Sequence, residues 1–233
     1  MFENYIFSAK VFQNFLDIVV KKKVKKFFFI STVHVYSNNL KNNINELSRT
    51  TNTNPYAVNK ILSEKVLSNY FLNNKLKGKI LRLSNVIGAP LTFNTNCWDL
   101  IANNMCLQYF KNNKIVINSE PSIKRNYVSM SDFLNIINIL IKSNKDNIGK
   151  NNIINIISSK NLTVKNVVDI ISKRIEKYFK VKPLLVYKNK NIKKNYKLFF
   201  SQKEIKKFNY KFENNLNYEI DEILNFLELN LYD

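Results

Sequence analysis

The run Phe27-Phe28-Phe29-Ile30 constrains the fold of this chain more than any other stretch. Consecutive side chains of a strand point to opposite faces, so an unbroken apolar run needs cover on both. The chain supplies that cover on either side. Before the run, Ile6, Val11, Phe12, Phe15, Leu16 and Val19 recur at helical spacing over residues 5–20. After it, 38–54 is polar and loop-like. Residues 55–74 then read as a helix, with Pro55 in the first turn and Ile61, Leu62, Val66 and Leu67 facing inward. The alternation continues with a strand at 79–83, a break at Gly88-Ala89-Pro90, a helix at 96–111 and a strand at 115–117. A short strand at 125–128 leads to a helix from Ser131, followed by a strand at 153–157 and a helix at 162–179. A strand at 183–187 and an amphipathic helix at 217–231 close the order, and 188–197 (KNKNIKKNYK) is the expected mobile loop. Strands separated by helices of about ten or more residues predict an α/β architecture with parallel pairing.

Composition narrows the function classes. The 233 residues are 45% hydrophobic, enough for one large domain or two small ones with a packed core. No apolar run approaches the roughly 18 residues of a membrane span, and the N-terminus lacks a signal-peptide pattern. The three glycines, Gly78, Gly88 and Gly149, are far apart, so the chain holds neither GxGxxG nor a P-loop. The net charge of +20 comes with abundant Asn, Ile and Lys, all with A/T-rich codons, and with Arg only at 49, 82, 125 and 174. Scarce Arg disfavours nucleic acid as a partner, because bidentate base and phosphate contacts use it. The lysines of 21–26 read either as a phosphate patch or as cations at the end of a helix. Cys97 and Cys106 make no disulfide scaffold, which fits a reducing cytoplasm. His34 is the single histidine, so a catalytic metal site is not expected.

Four blocks carry candidate chemistry. Tyr56-Ala57-Val58-Asn59-Lys60 sets a phenol and an ammonium at i and i+4, with Cβ atoms roughly 5–6 Å apart. A cation lowers a nearby phenol's pKa, and a positioned hydroxyl lowers it further. Such a Tyr can move a proton while another group takes hydride. Alone, the spacing arises often by chance in a Lys-rich chain. Ser31-Thr32-Val33-His34-Val35-Tyr36 puts hydroxyls at the C-terminal end of the apolar strand, where open α/β sheets bind ligands. Leu81-Arg82-Leu83-Ser84-Asn85-Val86-Ile87-Gly88 and Arg125-Asn126-Tyr127-Val128-Ser129-Met130-Ser131-Asp132 follow. Read singly, Thr32 also suits an ST-turn, Asn85 a turn after the strand and Arg125 a surface salt bridge.

In that order and spacing the blocks resemble the extended short-chain dehydrogenase/reductase family, which includes NAD-dependent nucleotide-sugar epimerases and dehydratases. The family pattern runs SSxxVYG, PYxxSK, RxxNVyGP, RDyvyVxD. Asn155-Ile156-Ile157-Ser158 resembles its NxGs strand, and Ser201 through Phe208-Asn209-Tyr210 its SK…LGW region. Asn85 after Leu83-Ser84, with Cys97-Trp98 and Asn103-Asn104, is similar to a branch found in surface-polysaccharide gene clusters.

The resemblance implies the C-terminal part of a Rossmann-like, doubly wound parallel sheet plus a smaller α/β substrate-binding region. It implies a partial Rossmann-like domain at 1–90 and a mainly substrate-binding region at 91–233, with segments returning to the sheet. It makes Thr32, Tyr56 and Lys60 catalytic. Tyr56 is the acid/base, and Lys60 lowers its pKa and binds the nicotinamide ribose of NAD or NADP. Asn85 and Arg125 hold the diphosphate of a nucleotide-sugar substrate, and no metal is involved. Three residues depart from the pattern. Asn59 stands where Ser is usual, Ser37 where VYG has Gly, and Asn126 where RDY has Asp. In the family about 90 residues precede the matching blocks and carry the Gly-rich turn and the acidic ribose ligand. The expectation is therefore a chain lacking the cofactor-binding segment, with the Phe27–Ile30 strand left as an open apolar edge. A partner chain is expected to cover it, and the resemblance implies a homodimer through a helix pair that includes the Tyr56–Lys60 helix. The implied activity is an epimerase, dehydratase or reductase acting on nucleotide sugars. The alternative is a catalytically silent remnant or a non-catalytic partner subunit of such an enzyme.

Overall fold

The computed structural model describes residues 2–143, 152–189 and 197–231. The chain forms two compact units, and elements are numbered along the chain. The first unit comprises Met1–Ser84, Ile137–Ile157 and Phe199–Lys211. Its centre is a parallel sheet of β1 (Phe27–Thr32), β3 (Gly78–Leu83) and β7 (Ile153–Ile156), in the order β1-β3-β7. Helices α1 (Phe2–Lys21) and α2 (Pro55–Leu72) bury Leu16, Val19, Leu67 and Phe71 against Ile80 of β3. The rings of Phe12 and Phe29 meet at 5.2 Å, so the apolar run is covered by α1. At Gly78, where β3 meets Phe27, φ is +148° and a Cβ would sit 1.8 Å from the Phe27 carbonyl oxygen. Only glycine lets the two strands approach there. On its far side β1 pairs with no strand among the described residues.

The second unit comprises Asn85–Ile136, Ser158–Leu198 and Phe212–Asp233. In it β4 (Asn85–Ile87) runs parallel to β6 (Lys124–Ser129), and β6 is antiparallel to β8 (Asn161–Thr163). A second parallel pair joins β5 (Lys114–Ile117) and β9 (Leu184–Tyr187). Helices α3 (Ile101–Asn112), α5 (Val164–Phe179) and α7 (Leu216–Leu231) enclose one core containing Cys106, Ile115, Tyr127, Ile171, Ile220 and Leu224. Thr163 and Asn166 form a reciprocal capping box that starts α5. The chain passes from the second unit to the first within α4 (Met130–Lys142). Cys97 and Cys106 are both free thiols.

The long elements lie where their periodicity predicts. The helix expected from residue 96 begins at Ile101, because side chains hold the preceding turns. Trp98 Nε1 donates to the Phe93 carbonyl at 2.8 Å, and Asn104 Nδ2 to the Trp98 carbonyl at 2.9 Å. The polar stretch 38–54 contains β2 (Asn42–Ile44), which pairs with β10 (Leu198–Phe200). Strands β2, β4, β8 and β10 are three residues each and α6 (Lys203–Lys206) four, too short to display a period. The loop expected at 188–197 falls largely on 190–196, outside the described residues.

Candidate functional site

In the first unit α2 begins with Tyr56 on display. Asn54 caps the helix, its Oδ1 accepting from the Tyr56 backbone N–H at 3.0 Å. Tyr56, on the opening turn, is 57% exposed, and its hydroxyl makes no hydrogen bond among the described residues. One turn on, the Lys60 ammonium lies 5.8 Å from the Tyr56 ring centroid and 4.9 Å from that of Phe29. It donates to the Ile30 carbonyl of β1 at 2.8 Å. Thr32 ends β1 and is buried, its Oγ1 accepting from the His34 backbone N–H at 3.2 Å. That bond caps a short 3₁₀ turn, Val33–Val35. The first unit therefore holds Thr32, Tyr56 and Lys60 at the junction of β1 and α2.

Tyr56 lines a cavity of about 280 Å³ together with Ala57, His34, Asn38, Asn52 and Asn54. Asn52 ties its walls together. Its Nδ2 donates to the His34 carbonyl at 2.6 Å, and its Oδ1 accepts from the Asn54 N–H at 2.8 Å. Neither Asn52 nor the cavity carries a sequence signature, because the loop at 38–54 shows no period. The electrostatics differ from the sequence expectation. Burial pushes the Tyr56 phenol above its ordinary pKa. Burial also lowers Lys60, against the raising influence of the Glu64 carboxylate. The i,i+4 spacing suggests a phenol activated by its lysine. With Lys60 drawn onto the Ile30 carbonyl, burial sets the direction instead.

Asn85 and Arg125 belong to the second unit. Asn85 opens β4 rather than a turn, and its Nδ2 donates to the Asn126 carbonyl at 2.9 Å. Asn126, in the place of an acidic residue, is buried and knits the sheet. Its Nδ2 donates to the Ser158 carbonyl at 3.0 Å and to Asn161 Oδ1 at 2.9 Å. An amide serves both donor and acceptor needs here, because its Oδ1 also takes the Ser158 N–H at 2.9 Å. Arg125 lies on β6 and has no carboxylate partner among the ion pairs of the described residues. It lines a cavity of about 180 Å³ together with Asp99, Asn104, Asn118 and Ser119. Asp99, Asn118 and Ser119 escape sequence reasoning because they sit in turns flanking α3 and β5. Among the described residues no cluster of three or more His, Cys, Asp or Glu side chains could hold a metal. Nor is any described helix long and apolar enough to cross a membrane.

The profile of the NAD dependent epimerase/dehydratase family matches residues 5–156, well over half the chain. No curated protein sequence matches it. Solved structures match in fold. One is a UDP-N-acetylglucosamine 4-epimerase from Methanobrevibacter ruminantium in complex with UDP-N-acetylmuramic acid, at 18% identity and TM-score 0.72, with 90% of this chain and 65% of that one covered. Another is a UDP-glucuronic acid 4-epimerase from Bacillus cereus with UDP-glucuronic acid and NAD, at 19% identity and TM-score 0.76, covering 95% and 67%. A third is TunA, an NAD dependent NDP-hexosamine 5,6-dehydratase involved in tunicamycin biosynthesis, at 16% identity and TM-score 0.74, covering 97% and 72%. The chain thus spans about two thirds of the length of the structures it matches. At these identities the likeness is one of fold, the Rossmann-like α/β arrangement with parallel strands.

Proposed function

We propose, from the premise that this chain belongs to the NAD dependent epimerase/dehydratase family, that it carries the proton-transfer centre and the substrate side of a nucleotide-sugar epimerase or dehydratase. The observation that carries this reading is the junction of β1 and α2. There an exposed phenol that lines a polar cavity has an ammonium one turn on along α2, and a hydroxyl ends the strand on which that ammonium rests.

The donor set fits a nicotinamide dinucleotide. Lys60 spends one of its three N–H donors on the Ile30 carbonyl, which leaves two for the vicinal hydroxyls of a ribose. When bound, NAD(P) takes hydride from a sugar carbon and returns it. The chain's own residues handle the proton. Tyr56 takes it from the sugar hydroxyl as hydride leaves the same carbon, and gives it back when hydride returns. Thr32 accepts from the His34 N–H and keeps its O–H as a donor, which in this reading serves the substrate oxygen or the Tyr56 oxygen. Because burial raises the phenol's pKa, this donation and the Lys60 charge have to stabilise the phenolate. Arg125, without a carboxylate partner among the described residues, suits a diphosphate, since its planar fork matches phosphate oxygens. Asn85 supports the β6 backbone beside it. A role in surface-polysaccharide synthesis, and a second copy or partner chain on the open β1 edge, belong to the same proposal.

A second reading is a non-catalytic relative that binds sugar nucleotide without turnover. The Tyr56 hydroxyl, exposed and without a hydrogen bond among the described residues to hold it as phenolate, favours it, and the upward push of burial on the phenol agrees. Two measurements separate them. The enzyme reading expects NAD(P) binding at micromolar affinity by the chain or its complex, and the silent reading expects none. Tyr56→Phe should abolish turnover with little change in melting temperature, since the hydroxyl holds nothing in place. Turnover that survives the change would sink the assignment.

A further inference from the structure

Ser31, Arg82 and Asn155 occupy one level of the parallel sheet, each the register partner of the next. All three are buried, at 2%, 4% and 0% exposure. Buried polar groups need partners, and Ser31, Arg82 and Asn155 Oδ1 find theirs on α2, Glu46 and Tyr36, while Asn155 Nδ2 has none among the described residues. Glu64 of α2, itself buried, receives Arg82 through Nε at 3.1 Å and Nη2 at 2.6 Å. The Ser31 hydroxyl donates to the same carboxylate. The Arg82 guanidinium stands 4.7 Å over the Tyr36 ring, and its Nη1 donates to the Glu46 carbonyl at 3.3 Å. Tyr36 in turn donates to Asn155 Oδ1 at 2.7 Å.

These contacts reach both halves of the candidate site. Glu64 lies one turn beyond Lys60 and two beyond Tyr56 on α2. The helix thereby grips β1 at successive residues, through Lys60 on the Ile30 carbonyl and Glu64 on the Ser31 hydroxyl. Tyr36, held under Arg82, closes the turn that Thr32 begins. We infer that the Glu64–Arg82 pair is the positioning device of the site, fixing the rotation of α2 about its axis and the seat of the Thr32 turn. The inference rests on reading Tyr56, Lys60 and Thr32 as the reacting groups.

Stability alone does not call for the pair. Replacing a buried ion pair with packed apolar residues of similar volume is often neutral or stabilising. What apolar packing lacks is direction. A forked guanidinium on a carboxylate fixes two donor vectors, whereas apolar contacts tolerate rotation and repacking. The Glu64 charge also supports the Lys60 cation against its partial burial.

The test separates position from stability. The chain is reductively dimethylated with ¹³C, and the Lys60 signal is assigned by its loss in Lys60→Arg. With its ammonium 4.9 Å from the Phe29 centroid, Lys60 carries a ring-current shift in the wild type. The double variant Glu64→Leu/Arg82→Met is expected to stay folded, its melting temperature lowered only by the acceptor that the buried Ser31 hydroxyl loses, with the Lys60 signal collapsing toward that of exposed lysines. A folded double variant that keeps the wild-type Lys60 shift overturns the inference. If that variant does not fold, the isosteric Glu64→Gln decides by the same signal. NAD titration runs in parallel. No binding by wild type, with the Lys60 signal collapsing as expected, removes the functional reading and leaves the positioning of Lys60 standing. In an active preparation kcat should fall on the order of 100-fold with KM little changed.

Discussion

Two tyrosines show how one side chain's surroundings decide its worth. Tyr127 is fully buried in the second unit, its phenol pushed up to about 12 by burial, and its hydroxyl has no hydrogen-bond partner among the described residues. An unmet buried hydroxyl costs about 1–3 kcal/mol. Tyr127→Phe is therefore expected to raise stability, by about 1 kcal/mol in urea denaturation, and a clear loss would reveal a partner for that hydroxyl. Tyr70 also stands at about 12, from burial together with its hydrogen bond to Asp17 and the charge there. Its hydroxyl donates to Asp17 Oδ1 at 2.5 Å, tying α2 to α1. A folded pKa raised above the unfolded one means the contribution is complete below about pH 10 and lost as pH climbs toward 12. Denaturation midpoints should fall across that interval, and Tyr70→Phe should flatten the fall while lowering stability at neutral pH by about 1 kcal/mol. Legibility follows the same divide. The Tyr56 and Lys60 pairing is readable because helical spacing is local. The upward shift of Tyr56 is not, because its burial depends on a cavity wall supplied from His34 and Asn52, outside α2.

At the scale of elements the question is what starts and seats α2. Its first turn is held by Asn54, whose side chain takes the Tyr56 N–H, and by Pro55 with its preset φ. Asn54→Ala should cost about 1 kcal/mol in thermal or urea unfolding. It should also weaken ligand binding beyond that loss of stability, since the freed N–H belongs to Tyr56 and Asn54 lines the cavity. An unchanged melting temperature would show that Pro55 and packing alone start the helix. The same helix marks what a sequence displays about elements. The apolar periods of α1, α2 and α5 and the unbroken run of β1 are local patterns, and all four lie where those patterns put them. Glu64 and Arg82 leave no such trace. They meet because β3 sits beside β1 and α2 crosses above, a relation between residues 18 apart that no spacing rule expresses. Asn85, a turn residue by local chemistry, becomes a strand residue because β6 offers it a parallel partner.

For the molecule as a whole, the exposed surface of the first unit decides its behaviour in solution. Strand β1 has β3 on one side and no described strand on the other, and Ile30 there is 46% exposed. Helix α1 adds an outward stripe of Phe7, Val11, Phe15 and Ile18. Both surfaces favour association, and they differ in kind. The stripe offers only apolar area, whereas the edge also offers backbone N–H and C=O groups with no ladder partner, a template for another strand. The edge should therefore dominate. Sedimentation velocity across a series from about 1 to 100 μM is expected to show growing association in wild type. A charge on an edge strand is the natural device against pairing. Ile30→Lys should shift the onset to about tenfold higher concentration, while Val11→Lys on α1 should move it far less. The opposite order would place the contact on the helix face, as expected of a homodimer built from helices. A monodisperse wild type throughout would mean that neither surface needs a partner, and would remove the proposed second copy or partner chain from the functional reading.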